Sequence, residues 1–430
     1  MKSSLQAQAQ AAFCPEAVEE RVIFLLDFDS YFARCMQQAY PPLRERPVGI
    51  RGPARGTMLI AASPEAKKRG IKTGTFVSDA LRLCPDIILV GPDMDMYVEM
   101  CTRALKVLTS FTDKVEPFSI DESFMDVTEI VAKFGDVHML AQAIKRALRE
   151  ALGETVTTSI GIGPNKMIAK LVSHFHKPDG ITHVTAAQVP ELLPQIALMD
   201  ICGIGSRVAK RLAKLGIYTV SQLGRFPRAG LVREFGVLGH LYWLWGQGVD
   251  LTPVSPYHGQ AAEKSMGHSM TLPVSATRRE EVDSVLLRLC ERVGRRLRRG
   301  GYRGRVFHCW VAYAGELGAE EERGRGGRYR LPEACDDSQV FYQAAQRFLP
   351  VGQLPHPVIQ LHVSVSELGK HPMQLSLTED LVSKNSLQRA LDTINDRYGE
   401  LTISRAALLG SAQRTPIGDP QNGLRKRYNI

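Results

Sequence analysis

The sequence predicts a multidomain protein that combines an α/β portion, a helical portion and an α+β module. Three observations support this prediction. Strand-like apolar runs alternate with helical patterns from Val22 to about Gln188, a helix-rich stretch extends to about residue 256, and strands and helices alternate again beyond it. A chain of 430 residues is long enough for roughly two to four domains, each with its own core.

The α/β portion contains strand-like runs that are rich in aliphatic and β-branched residues. They are Val22 to Leu26, Met58 to Ala62, Ile87 to Val90 and Thr157 to Ile162. Apolar residues recur at helical spacing in Tyr97 to Phe111 and in Met139 to Leu152. The spacing of Val208 and Leu212 then indicates small packed helices over about 190 to 256.

The α+β module follows a predicted linker that contains Pro253 and Pro256. Its elements come in the order strand, helix, strand, strand, helix, strand. They are Ser265 to Leu272, Arg278 to Arg299, Val306 to Ala314, Tyr329 to Leu331, Asp337 to Leu349 and Val358 to Ser366. Gly315 to Gly327 is expected to be a mobile hairpin loop. In the tail after Leu368, one helix is predicted to start at Asn385 or Ser386 and to end at Gly399.

Composition narrows the class of partner. Lys plus Arg total 54 and Asp plus Glu total 45, so the net charge of +9 favours a polyanion such as nucleic acid. The eight cysteines are scattered without a Cys-x-x-Cys pair, which indicates reduced thiols rather than a zinc or redox site. Residues 1–20 do not resemble a signal sequence and no apolar run is long enough to cross a membrane, so we expect a cytoplasmic protein without membrane contact.

Two acidic clusters lie far apart in the chain. Asp27 and Asp29 end a strand-like run, and Asp121 and Glu122 are neighbours. Either cluster alone could be a strand end or a helix cap. Adjacent carboxylates on a regular strand would point to opposite faces, so we infer a hairpin bend that brings both to one site. Together the clusters indicate two-metal phosphoryl transfer, with Asp29 kept as a structural residue.

Five motifs resemble the Y-family of translesion DNA polymerases over about residues 21 to 375. They are Leu26-Asp-Phe-Asp-Ser-Tyr-Phe-Ala33, Ala62-Ser-Pro-Glu-Ala-Lys67, Ser119-Ile-Asp-Glu-Ser123, Gly161-Ile-Gly-Pro-Asn-Lys166 and Gly203-Ile-Gly205. The resemblance implies a right-hand polymerase that extends primer–template DNA with deoxynucleoside triphosphates, with low fidelity and without proofreading. Its implied parts are a flexible tail (1–20), a palm (21–40 and 96–188), fingers (41–95), a helical thumb with a helix-hairpin-helix (189–256), a βαββαβ little finger (257–368) and a C-terminal tail (369–430).

The resemblance also implies roles for individual residues. Asp27, Asp121 and Glu122 are expected to bind two Mg²⁺ ions, with the backbone carbonyl of Phe28 as a further ligand. The residues implied at the nucleotide are Phe32 as a steric gate against the ribose 2′-hydroxyl, Tyr31 through its backbone, and Lys67 and Lys166 at the triphosphate. The alternatives are an ordinary core Phe and solvated lysines, although Lys166 starts a helical run whose amides favour phosphate.

One motif departs from the commonest family pattern. Pro64 and Lys67 occupy positions where the family has Tyr and Arg, so a phenolic hydrogen bond and a forked guanidinium are missing. With the long C-terminal tail, this variant looks more like the polymerase V (UmuC) branch than polymerase IV, to which it is also similar.

DNA contacts are expected in two places. Gly203 and Gly205 resemble a helix-hairpin-helix turn that places backbone amides and Lys210 at a phosphate, and an ordinary interhelix turn is the alternative. The density of arginines around residue 295 would repel itself unless a polyanion lay against it. We therefore predict a grip on the DNA backbone by Arg295, Arg296, Arg299 and Arg303, and a solvated face is the alternative.

A short segment near the C-terminus resembles the bacterial motif that binds the sliding clamp. Its contact residues are Gln374, Leu375 and Leu377. An accessory subunit is a further candidate partner. Two other functions remain open: a catalytically silent DNA-binding scaffold that recruits another polymerase to the clamp, and a glycosylase or nuclease that uses Asp200 beside the helix-hairpin-helix turn.

Overall fold

A computed structural model describes residues 21–52, 58–256, 263–314, 324–350, 352–370, 381–400 and 402–408. The described residues belong to two compact units, one ending at residue 256 and the other beginning at residue 263. The predicted N-terminal tail (1–20) and the predicted clamp-binding residues Gln374, Leu375 and Leu377 lie outside these ranges.

The first unit contains two sheets and helices that cover them. Its strands are β1 (Ile23–Phe28), β2 (Val48–Arg51), β3 (Leu59–Ala62), β4 (Ile88–Val90), β5 (Val115–Pro117), β6 (Glu122–Asp126), β7 (Thr158–Gly163) and β8 (Ile181–His183). Its helices are α1 (Tyr31–Ala39), α2 (Pro64–Lys68), α3 (Val77–Leu83), α4 (Met94–Phe111), α5 (Val137–Leu152), α6 (Lys166–Val172), α7 (Val189–Leu192), α8 (Ser206–Lys214), α9 (Val220–Arg225), α10 (Arg228–Phe235) and α11 (Val237–Trp245). The strand-like runs and helical patterns predicted for this portion are confirmed to within a few residues.

The larger sheet has the strand order β5-β6-β1-β7-β8, with β1 at its centre. All six residues of β1 are buried, and both of its neighbours run antiparallel to it. Helices α4 and α5 contribute apolar residues such as Tyr97, Leu108 and Leu140 to the same core. Because each fully buried side chain of this size contributes about 1.5–3 kcal/mol, this core holds the central strand in one register.

A smaller sheet with the order β3-β2-β4 carries α2 and α3 and has its own apolar cluster, which includes Leu59 and Ile71. The helical stretch from α7 to α11 packs on α6, since Ile168 and Leu171 of α6 share a core with Leu212 and Leu223. The first unit is therefore an α/β structure that continues into small packed helices.

The second unit is an antiparallel sheet with helices on one face. Its elements are β9 (Ser265–Ala276), α12 (Arg279–Arg299), β10 (Arg303–Tyr313), β11 (Gly324–Cys335), α13 (Ser338–Gln346), β12 (Val358–Gly369) and α14 (Leu381–Tyr398). The predicted order of strands and helices from β9 to β12 is confirmed. The sheet order is β11-β10-β12-β9, and α12 and α13 pack against its buried face.

Strand β11 is longer than the prediction of Tyr329 to Leu331. Its first residues lie in the glycine-rich segment that was predicted to be a loop. A Cβ atom on Gly324 or Gly326 would come within 3 Å of Trp310 on the neighbouring strand. The glycines are therefore needed because the strand packs closely beside the indole ring. The glycine-rich composition indicates a loop, so this packing was not predicted.

Helix α14 starts four residues before the predicted Asn385 and ends before Gly399, as predicted, where φ is +112°. Among the described residues, none lies in a helix that is both long and apolar enough to cross a membrane.

We expect Gly161→Ala to destabilise the first unit by about 1–3 kcal/mol or more. A Cβ at this position of β7 would lie 2.0 Å from the carbonyl oxygen of Ala169 and 2.6 Å from the amide nitrogen of Ser173 on the helix behind it. Gly91→Ala is the control, because nothing lies within 4 Å of its added Cβ. Urea unfolding measures both variants, and equal stabilities would contradict the close packing of β7 on α6.

Candidate active site and charged surfaces

The two acidic clusters meet at one end of the larger sheet. In the antiparallel pairing of β1 with β6, Asp27 lies directly opposite Glu122, so their side chains project from the same face. Asp121 precedes β6, and its carbonyl oxygen accepts a hydrogen bond from the Phe28 amide at 3.0 Å. Strands β5 and β6 form a hairpin whose bend spans residues 118–121, which confirms the bend inferred from the adjacent acids.

Each of these carboxylates has a polar partner. The Lys177 ammonium lies 2.5 Å from Asp27, and the Lys170 ammonium lies 2.7 Å from both oxygens of Glu122. The Ser119 hydroxyl donates to Asp121 at 2.5 Å. Ammonium groups thus pair with Asp27 and Glu122, two of the three carboxylates that are expected to hold a cation. Within the described part of the chain, no three carboxylate, His or Cys side chains converge closely enough to hold a metal ion together.

The ionised form of Asp27 is destabilised because the side chain is buried. Its side chain is 5 % exposed, and burial raises its pKa from 3.8 to about 6, while Lys177 lowers the pKa and the charges of Glu122 and Asp121 raise it. Carboxylates are hard oxygen donors, and a cation beside Asp27 would offset the cost of its buried charge. The chemistry of Asp27, Asp121 and Glu122 therefore suits a divalent ion, although in this structure their side chains do not converge on one point.

Asp29 has a different role from Asp27. Its carboxylate accepts hydrogen bonds from the hydroxyls of Thr157 at 2.9 Å and Ser159 at 2.8 Å, and from the amide of Asp179 at 2.8 Å. Thr157 directly precedes β7, Ser159 belongs to it and Asp179 lies in the loop before β8, so Asp29 joins the end of β1 to those segments. The prediction that Asp29 is structural is confirmed.

The lysines near the carboxylates are only partly those that we predicted. Partial burial, and then the charge of Lys177, lower the pKa of Lys67, and the nearby carboxylates of Asp29, Asp27 and Asp121 oppose this shift. Lys166 instead pairs with Glu116 at 2.7 Å and lies over the Phe124 ring. This pairing engages the Lys166 ammonium, and the triphosphate contact expected of Lys166 stays a prediction.

Lys177 is the residue that sequence reasoning missed. It sits in the turn Lys177-Pro-Asp-Gly180 between α6 and β8, and Asp179 is held there by Lys145 and Arg149 of α5. The turn signal was visible in the sequence, but its position beside Asp27 depends on the β1–β7 pairing.

Phe32 and Tyr31 follow the carboxylate strand on α1. The Tyr31 hydroxyl donates to the Tyr97 carbonyl oxygen at 2.7 Å and its side chain is buried, which confirms that it packs into the fold. Phe32 is half-buried and stacks on the Tyr97 ring with centroids 4.4 Å apart. Phe32 is therefore held in one orientation at the start of α1, five residues after Asp27.

The glycine turn before α8 leaves its backbone open to close approach by another group. Gly203 has φ +103° and packs against Trp245, and nothing lies within 4 Å of a Cβ built on Gly205. Lys210 is exposed on α8, whereas Arg211 pairs with Glu234. The amides at this turn and Lys210 are accessible to a phosphate.

The arginines predicted to grip the DNA backbone are not an unmatched cationic surface, because each has a partner within the described residues. Their role as a DNA grip stays a prediction. Arg295 and Arg299 pair with Asp396, Arg296 donates to the Gly267 carbonyl oxygen at 2.8 Å, and Arg303 lies 3.7 Å from Asp336. The sequence signal for this pairing was the four-residue spacing of Asp392, Asp396 and Glu400.

The sheet face away from α12 and α13 is the cationic surface that sequence reasoning missed. Strand register places Arg328 beside His308, and His362 beside Trp310, which is 40 % exposed. Arg330 lies on the same face and pairs with Glu367. Alternation along β10 could have revealed this face, since every second residue of Val306 to Ala312 points away from the core.

Comparison with known proteins identifies two matching family models. Residues 26–174 match the impB/mucB/samB family, and residues 263–377 match the C-terminal domain of that family. The chain is 39% identical to the DNA polymerase IV of Moorella thermoacetica over 91% of this chain and 96% of that protein. It is 36% identical to the DNA polymerase IV of Pelotomaculum thermopropionicum over 92% and 96% of the two chains.

A third relative, the DNA polymerase IV 2 of Bacillus subtilis, is 33% identical over 92% of this chain and 96% of that protein. These three relatives are named for polymerase IV. They therefore do not support the expected likeness to the polymerase V branch.

We expect Asp27→Asn to stabilise the metal-free protein by on the order of 1–2 kcal/mol at neutral pH. Because the folded pKa of about 6 lies above the ordinary value of 3.8, ionised Asp27 destabilises the folded state. That penalty is absent below about pH 4 and complete above about pH 7. The gain should therefore grow as the pH rises through this range.

Urea unfolding in a chelator between pH 4.5 and pH 8 measures this gain. Asp113→Asn, at an exposed position of the same unit, is the control and should change little. A gain for Asp27→Asn that does not vary with pH would contradict the burial of an ionisable carboxylate.

Proposed function

The chain belongs to the impB/mucB/samB family of Y-family DNA polymerases, and on that premise we propose that it is a DNA-directed DNA polymerase that performs translesion synthesis. The observation that carries the proposal is the register of β1 with β6, which sets Asp27 opposite Glu122 beside Asp121 within the matched family segment. The rival scaffold function is disfavoured because all three acids are present and clustered. Asp200 lacks comparable partners, since its carboxylate accepts only the nearby Ala197 amide at 3.1 Å in the described contacts.

The proposed division of the chain follows the family. Residues 21–40 and 96–188 form the palm, 41–95 the fingers, 189–256 the thumb and 257–368 the little finger. In support, the larger sheet carries the acids, the smaller sheet has its own core, and the module from β9 to β12 folds as a sheet with helices on one face. The tail from residue 369 includes α14, which pairs with the little finger.

We propose that Asp27, Asp121, Glu122 and the Phe28 carbonyl hold two Mg²⁺ ions. When bound, such ions stabilise the attacking and leaving oxygens of an in-line displacement at the α-phosphate. The neighbouring lysines would serve the triphosphate, because a charge-assisted hydrogen bond to phosphate is strong. Lys177 and Lys67 are the proposed contacts, supported by their proximity to Asp27.

Phe32 is the proposed steric gate. Its ring is fixed by stacking on Tyr97, and a side chain held in one orientation can exclude a 2′-hydroxyl by contact. The backbone of Tyr31 is proposed to border the same nucleotide site. Low fidelity and the absence of proofreading follow from the family resemblance and stay predictions.

DNA would be held through its backbone. Gly203, Gly205 and Lys210 are the proposed phosphate contacts before and on α8. In the second unit, we assign a DNA surface to the open sheet face with Arg328 and Arg330. The predicted DNA contacts of Arg295, Arg296, Arg299 and Arg303 stay predictions. Binding of the sliding clamp through Gln374, Leu375 and Leu377, an accessory subunit and a cytoplasmic location stay predictions.

Primer extension tests the function directly. With four deoxynucleotides and Mg²⁺, we expect extension on an undamaged template and past an abasic site, and no extension in a chelator. Asp121→Asn should reduce the rate by about 10²- to 10³-fold or more, because a charge-stabilising group is lost. Asp113→Asn should retain activity. A scaffold would extend no primer under any of these conditions.

Separate kinetics test the lysine assignment. Lys177→Ala should raise the KM for a deoxynucleotide by about 10- to 100-fold, because a hydrogen bond to a charged group contributes about 1.5–3 kcal/mol. Lys166→Ala should leave the KM within about twofold, since its ammonium is engaged by Glu116. The reverse pattern would return the phosphate-contacting role to Lys166.

A further inference from the structure

The arginine face of α12 is covered by an acidic helix from the same chain. Helix α12 is joined to α14, and to Glu400 just beyond it, by a row of ion pairs in which the arginine numbers rise while the acid numbers fall. The pairs are Arg292 with Glu400 at 2.5 Å, Arg295 with Asp396, Arg298 with Asp392 at 2.6 Å, and Arg299 with Asp396 at 3.2 Å. The helices are therefore antiparallel, and acids four residues apart form one charged stripe.

The contact between α14 and α12 is mainly electrostatic. Between residues 386 and 400, none of the side chains is buried, and Leu387 and Tyr398 are 64% and 66% exposed. A cavity of about 260 Å³ remains between the helices and is lined in part by Leu387, Leu391 and Ile403. With little apolar burial to hold it, α14 depends on charge pairs that salt weakens.

The arginines have a geometry that phosphate also satisfies. Arg292 donates from two nitrogens to both oxygens of Glu400 at 2.5 Å, and Arg298 donates to both oxygens of Asp392 at 2.6 and 3.0 Å. The side chains of these two arginines are only 6% and 9% exposed, whereas the carboxylates are 33% and 17% exposed. Forked guanidinium contacts of this kind bind phosphate as well as carboxylate.

The arginine face also has the length of a short piece of DNA backbone. Arg292 and Arg299 are seven residues apart on α12, which spans about 10 Å along a helix. One DNA strand places a phosphate about every 3.4 Å along the axis, so the arginine face covers the length of about three phosphates.

We propose that the arginine face of α12 is a polyanion-binding surface whose occupant in the free protein is α14, and that the DNA backbone displaces α14 from it. The acidic helix then limits sequence-independent DNA binding, because the same guanidinium groups cannot pair with carboxylates and phosphates at once. This surface is distinct from the open sheet face and from the carboxylate site, so its test needs no polymerase activity.

Hydrogen exchange of the unaltered full-length chain tests the displacement. The amides of α14 should exchange faster when salt is raised from 50 to 500 mM, and also when duplex DNA is added at 50 mM salt. The amides of α12 should stay protected in both cases. Unchanged protection of α14 on addition of saturating DNA would overturn the proposal.

A charge-matched pair of variants tests the competition. In Asp392→Asn/Asp396→Asn/Glu400→Gln the arginines lose their acidic partners, so the salt slope of DNA binding, log K against log[salt], should steepen by about 2–3 as about three phosphate contacts are gained. Glu150→Gln/Glu280→Gln/Glu333→Gln removes the same number of charges from exposed positions. Equal slopes in the two variants would reject the arginine face as a DNA site.

Discussion

The mutual repulsion of three carboxylates at the end of β1 is the constraint on which the candidate site depends. The pairing of β1 with β6 makes Asp27 and Glu122 direct neighbours, and burial raises the pKa of Asp27 to about 6. A fold selected for stability alone would avoid this arrangement. The chain tolerates it because Lys177 and Lys170 supply positive charge, and because the apolar core behind β1 leaves the strand no other register.

Hydrogen bonds to Asp29 fix the segments of chain next to the carboxylate cluster. Asp29 bonds to Thr157, Ser159 and the Asp179 amide, and so holds the loop that carries Lys177. Asp27 lies on β1 and Asp29 directly follows its end, yet Asp27 faces cations and Asp29 accepts hydrogen bonds from neutral donors. Their environments, rather than their residue type, separate a candidate ligand from a structural residue.

The two units share a physical pattern. In the first, lysines of the chain meet acids that are expected to hold metal ions; in the second, acids of α14 meet the arginines of α12. In both places the protein supplies from its own side chains the charge that a partner would bring. Such internal pairing removes the cost of leaving buried or crowded charges unmatched, and it makes each site responsive to a competing ion.

The sequence by itself determined the order of strands and helices, the bend between β5 and β6, and the family, because apolar periodicity and short motifs are local properties. The residues at the acid cluster could be named for the same reason. The sequence could not show that Lys177 rather than Lys166 meets Asp27, since that follows from the β1–β7 pairing and from the bond of Lys166 to Glu116. Nor could it show that Asp396 neutralises Arg295 and Arg299, about a hundred residues away. Which charges meet is decided by tertiary packing, because electrostatic partners are set by distance in space and not by spacing along the chain.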